Sequence, residues 1–178
     1  MLGDSVSAAY GMPLEDGWVA LLEQRLVDEG HKVSIINASI SGDTTAGGVT
    51  RLPALIEEHA PSWVFIELGG NDGLRGLPLG QMKENLRTMI RLSQEQGAQV
   101  VLLGMRIPPN YGERYSVAFH HTFQELAVEE EVYLLDFFLH QVGGEPHLMQ
   151  EDGIHPTAEA QPQLVENLWP LVQKILAE

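Results

Sequence analysis

Ser5 stands in Gly3-Asp4-Ser5-Val6-Ser7 near one end of the chain, and Asp152 stands three residues before His155 in Asp152-Gly153-Ile154-His155-Pro156 near the other. A serine hydroxyl is a weak nucleophile until an imidazole takes its proton, and that imidazole needs a carboxylate to fix its tautomer and balance the charge it acquires. The three side chains are the parts of covalent ester hydrolysis: Ser5 as nucleophile, His155 as general base, Asp152 as its orienting partner. Gly153 and Pro156 keep the Asp-His pair off a continuous helix, so the chain can fold back and bring the carboxylate to Nδ1. Plainer readings exist for each piece alone. Gly-Asp-Ser fits a helix N-cap, and Asp-x-x-His fits an Asx-type turn ahead of the last helix.

Two more segments carry donors. Ala38-Ser39-Ile40-Ser41-Gly42-Asp43-Thr44 offers the unobstructed backbone N–H of Gly42, and Gly69-Gly70-Asn71-Asp72-Gly73 offers the side-chain amide of Asn71 after two glycines that permit close approach. With the N–H of Ser5 they make three donors for an oxyanion. A glycine-rich turn is the alternative for either segment by itself.

These segments need elements to position them. Short β-branched runs at Val33–Ile36, Trp63–Leu68, Val100–Met105 and Val132–Asp136 alternate with stretches of helical period. Trp18, Leu21, Leu22, Arg25 and Leu26 share one helical face, and Met82, Leu86, Met89, Ile90 and Ser93 share another. A helix over 45–59 is expected to be interrupted by Pro53, and the last helix to start just after Pro156 with Thr157 as N-cap and to bend or end at Pro170. Met1-Leu2-Gly3 reads as the last residues of a further strand, shorter than the usual five or so. This alternation predicts an α/β fold with a parallel sheet covered on both faces, whose ligands bind outside the carboxyl ends of the strands. All four chemistry-bearing segments fall on that rim.

The chain is 178 residues long, without linker, repeat or internal charge block, which fits one domain over 1–178. Ten Lys and Arg against 25 Asp and Glu give a net charge of -15, which disfavours nucleic acid and anionic membranes as partners. No apolar run approaches the ~20 residues of a membrane helix, so a soluble protein with no stable membrane association is expected. Nothing in the pattern assigns an oligomeric state. There is no cysteine, and the histidines outside the Asp-His pair lack ligand spacing with carboxylates, so no metal site and no cofactor is expected. Arg75, Arg106 and Arg114 fall in rim loops, where they would favour anionic substrates or simply be surface arginines.

Taken in order, the four segments resemble the SGNH (GDSL-type) hydrolase family. Asn37-Ala38-Ser39-Ile40-Ser41-Gly42-Asp43-Thr44, Glu67-Leu68-Gly69-Gly70-Asn71-Asp72-Gly73-Leu74-Arg75-Gly76 and Pro109-Asn110-Tyr111-Gly112 look like its bacterial thioesterase I, lysophospholipase L1 and arylesterase branch. The resemblance implies a three-layer, flavodoxin-like α/β/α sandwich with a five-stranded parallel sheet of order 2-1-3-4-5, its first strand abbreviated here. It assigns Ser5 as nucleophile, Ser5, Gly42 and Asn71 to the oxyanion hole, and Asp152 and His155 as the other triad members. It implies small acyl esters or thioesters as substrates, namely aryl esters, acyl-CoA or lysophospholipids. It also implies a periplasmic or secreted location, although no export signal precedes Gly3 in this chain. Leu74, Leu77, Ile107, Pro108, Pro109 and Tyr111, in loops after the third and fourth strands, are candidates for acyl-chain contacts, with loop packing as the alternative. Two rival functions use the same residues: a metal-dependent phosphoesterase with Asp4, Asp43, Asp72 and His155 as ligands, and a non-catalytic lipid- or carbohydrate-binding module.

Overall fold

The computed structural model describes residues 1–177, with Pro109 described by its backbone alone. Four strands form one parallel sheet in the order β1 (Leu2–Gly3), β2 (Trp63–Glu67), β3 (Gln99–Leu103), β4 (Tyr133–Leu135). Leu2 lies opposite Ile66, Val64 opposite Val100, and Leu102 opposite Leu134. A strand buried on both faces shows its two-residue period in which core each side chain joins. In β3, Val100 and Leu102 enter one core while Val101 and Leu103 enter the other.

The first core is closed by α2 (Thr45–His59), α4 (Leu79–Glu95) and α5 (Glu113–Glu129), the second by α1 (Trp18–Asp28) and α6 (Gln161–Leu176). This is a helix–sheet–helix sandwich. The apolar stripe of α4 works as its spacing predicts: Met82, Leu86, Met89, Ile90 and Ser93 are its buried residues. No helix among the described residues is long and apolar enough to cross a membrane.

Several expectations need correction. Val33–Ile36 is not a strand, so the sheet has four strands instead of five. Residues 36–40 nevertheless run beside β1: the Met1 amino group donates to Ile36 O at 2.7 Å, Ala38 N to Met1 O at 2.9 Å and Ile40 N to Gly3 O at 3.0 Å. Residues 33–35 pair with no strand among the described residues. Between them and Trp63–Phe65 lies a groove of ≈ 580 Å³, with Leu22, Leu26, Leu52 and Val172 among its lining, at the amino ends of the strands. Pro53 and Pro170 lie inside α2 and α6 without ending them. Both are exposed, so water can serve the carbonyls they leave unpaired. The last helix begins later than expected, after a 3-10 turn at Ala158–Ala160, and Thr157 gives it no side-chain cap.

Candidate active site

Ser5 follows the carboxyl end of β1 and opens a tight turn. Ala8 N donates to Asp4 O at 3.0 Å, Tyr10 N to Ser5 O at 3.1 Å, and Val6 N to Asp4 Oδ1 at 3.1 Å. Backbone donors that would otherwise be orphaned thus find acceptors within the turn, which holds its course. Beneath it lies Glu67, the last residue of β2 and almost fully buried, whose Oε2 accepts from Asp4 N at 3.2 Å and Ser7 Oγ at 2.7 Å.

His155 arrives from the other end of the chain. Its Nε2 lies 2.8 Å from Ser5 Oγ, and its Nδ1 lies 2.6 Å from Asp152 Oδ2. Asp152 Oδ1 accepts from the backbone N–H groups of Ile154 at 2.9 Å and His155 at 3.0 Å, the folded-back turn expected of Asp-Gly-Ile-His. Burial pulls the Asp152 pKa upward, but hydrogen bonds from the His155 side chain and these two N–H groups outweigh it and hold the pKa down at about 2. An ionised carboxylate can only accept, so the ring proton belongs on Nδ1, and Nε2 is left to accept from the serine hydroxyl.

The donor segments come to the same rim. Gly42 has φ +80°, a left-handed conformation that a side chain would strain. Arg75 Nη2 donates to Gly42 O at 3.0 Å, and Arg51 braces the loop by donating to Asp43 Oδ2 at 2.7 Å and to Ala38 O. Among the described residues, the N–H groups of Ser5 and Gly42 have no hydrogen-bond partner in the protein. Asn71 lies in a short helix, α3 (Gly70–Leu74), not in the expected loop. Its Nδ2 donates to Asp43 O at 2.9 Å and to Asp4 Oδ2 at 3.2 Å.

The acyl-contact candidates divide. Ile107 is buried in the first core with Phe119 and offers no surface to a ligand, so packing accounts for it. Leu74 is half-buried against the same core, while Leu77, Pro108 and Tyr111 are exposed. The Pro109 side chain lies outside what the structure describes. Arg106 faces Asp136 at 3.5 Å, and Arg75 serves the Gly42 loop, so two of the three rim arginines have partners. Two residues of the site had no role assigned from the sequence. Tyr10 packs on the His155 ring at 4.2 Å between centroids, and Glu67 opens the Glu67–Gly76 stretch that carries the family resemblance without a part in the chemistry named there.

Comparison with known proteins now adds weight to this geometry. The family model for the GDSL-like lipase/acylhydrolase family matches residues 1–161. The chain belongs to that family. All five residues Ser5, Gly42, Asn71, Asp152 and His155 fall within the matched stretch. This family member is 52% identical over 176 residues to the esterase TesA of Pseudomonas aeruginosa, across 99% of this chain and 88% of that protein. It is 46% identical to the thioesterase 1/protease 1/lysophospholipase L1 of Escherichia coli, across 97% of this chain and 83% of that one. Among solved structures, the psychrotrophic esterase EstA from Pseudoalteromonas sp., inhibited by monoethylphosphonate, superposes with a TM-score of 0.95 at 42% identity, covering 99% of this chain and 97% of the other.

Proposed function

We propose that this protein is a serine esterase and thioesterase that works through an acyl-enzyme on Ser5. The observation that carries the reading is the unbroken contact from Ser5 Oγ through His155 to Asp152, at 2.8 and 2.6 Å. His155 Nε2 takes the hydroxyl proton as Oγ bonds to the acyl carbon, and the carbonyl oxygen becomes an oxyanion. That oxyanion accepts from the N–H groups of Ser5 and Gly42 and from Asn71 Nδ2, which gives up one of its two resting acceptors to do so. The imidazolium then protonates the departing alcohol or thiol. Water, deprotonated by the same nitrogen, attacks the acyl carbon, and the carboxylic acid leaves as the proton returns to Ser5. No step calls on a metal or organic cofactor.

The relatives support a substrate class of small acyl esters and thioesters, since their names include esterase, arylesterase and thioesterase. Leu74, Leu77, Pro108 and Tyr111 are the proposed apolar contacts for the acyl chain. The phosphoesterase reading is not favoured, because its acidic residues hold other partners. Asp43 pairs with Arg51, Asp72 accepts from Thr45 N at 2.9 Å and from Thr45 Oγ1 at 2.6 Å, and no metal-holding group of acids and histidines occurs among the described residues. The test is rapid-mixing kinetics with a chromogenic aryl ester. A burst of one equivalent of phenol per protein, absent in Ser5→Ala, is expected; steady turnover that survives Ser5→Ala would exclude the mechanism.

A further inference from the structure

Glu67 is a buried acid that the reaction does not use, placed under the residues that do. At 1% exposure it is the most buried carboxyl group in the core, and Asp4, at 3%, lies beside it. Two glycines make room for them. A Cβ on Gly3 would lie 2.8 Å from Glu67 Oε2 and equally close to Ser7 Oγ, and one on Gly70 would lie 3.2 Å from Asp4 Oδ2. We infer that Glu67 acts as a neutral acid and Asp4 as a carboxylate, a pair sharing one proton that positions the amide of Asn71 against the turn of Ser5.

Burial and the hydrogen bonds fit this division of roles. Glu67 Oε2 already accepts from Asp4 N and Ser7 Oγ, the residues bracketing Ser5 and Val6, so the proton belongs on Oε1. Asp4 accepts from Val6 N through Oδ1 and from Asn71 Nδ2 through Oδ2, beside the Glu67 carboxyl that accepts from its own N–H. A donor thus meets each of its oxygens, the pattern that suits a carboxylate. Burial pushes the Glu67 pKa well above the ordinary carboxylate range, and the charge of Asp4 pushes it the same way. Burial also raises Asp4, to about 6, opposed by the Val6 hydrogen bond and the attraction of His155, so of the two acids Asp4 is the readier to ionise. The pair links the end of β1, which carries Ser5, to the segment after β2, which carries Asn71. Both acids are positioning residues; neither touches the substrate.

The inference rests on Ser5 as nucleophile and Asn71 as oxyanion donor, and its test separates the two levels. A glutamine presents one acceptor and one donor, as a protonated glutamate does, whereas an asparagine at position 4 turns a donor toward donors. With an aryl ester and the full chain, Glu67→Ala and Asp4→Asn should each lose about 10²-fold in kcat with KM little changed, the cost of misplacing a catalytic group by about 1 Å. Glu67→Gln should return kcat to within about threefold of the wild type, because it keeps the hydrogen-bonding pattern. Glu67→Gln as impaired as Glu67→Ala, or Asp4→Asn at full kcat, would overturn the pair. If Glu67→Ala does not fold, Glu67→Gln and Asp4→Asn decide by the same criteria. A Ser5→Ala variant that still turned over would sink the reading of the site itself, whereas an inactive Ser5→Ala beside a fully active Glu67→Ala sinks only this inference.

Discussion

Asparagine at position 152 would keep the shape of the aspartate and reverse what it asks of His155. Asp152 serves three donors: the His155 ring through Oδ2 at 2.6 Å, and the N–H groups of Ile154 and His155 through Oδ1 at 2.9 and 3.0 Å. Asparagine has one oxygen for them. Two backbone N–H groups outweigh one ring N–H, so the oxygen stays with the backbone and the amide NH₂ faces Nδ1, which must then accept. The ring proton moves to Nε2, the nitrogen that has to receive the proton of Ser5. In a triad with a buried carboxylate this tautomer error costs about 10⁴ in kcat. The Asp152 side chain is 38% exposed, so water partly screens its charge, and about 10³ is the expected loss here. Asp152→Ala, which leaves Nδ1–H to water, should be less impaired than Asp152→Asn. The assay is kcat for an aryl ester at neutral pH, with the thermal midpoint as a control for folding. Full activity in Asp152→Asn, or Asp152→Ala as the worse enzyme, would refute the tautomer argument.

Two further outcomes are expected. Asn71→Ala should lower kcat by roughly 10²–10³ with little change in KM, because its donor matters once charge has developed on the oxygen; a change confined to KM would make Asn71 a binding residue. A chelator should leave ester hydrolysis unchanged, and inhibition reversed by added metal would revive the phosphoesterase reading.

Much of this arrangement is legible in residue order because it depends on local chemistry. The stripe of α4 is a matter of spacing, Ser5 and Asn71 follow strand ends, where a parallel sheet collects its ligands, and Asp152 and His155 precede the last helix. What stayed hidden depends on neighbours. Val33–Ile36 has strand composition, but a strand exists only where another backbone pairs with it, and among the described residues no strand pairs with 33–35. Pro53 reads as a break, and becomes tolerable only because tertiary packing turns its side of α2 to solvent. Ile107 looks like a loop residue until the core claims it. Glu67 opens a stretch that carries the family resemblance, but its role shows only beside Asp4 and Ser7, more than fifty residues away in sequence.

The claim on which the rest depends is that Ser5 is the nucleophile. Incubation with a fluorophosphonate, followed by intact mass and peptide mapping, tests it without reference to any substrate. A single adduct on the peptide containing Ser5, formed in step with loss of esterase activity and absent from Ser5→Ala and much slowed in His155→Ala, is the predicted result. An adduct on another residue, or full inactivation of the enzyme with Ser5 unmodified, would contradict the account.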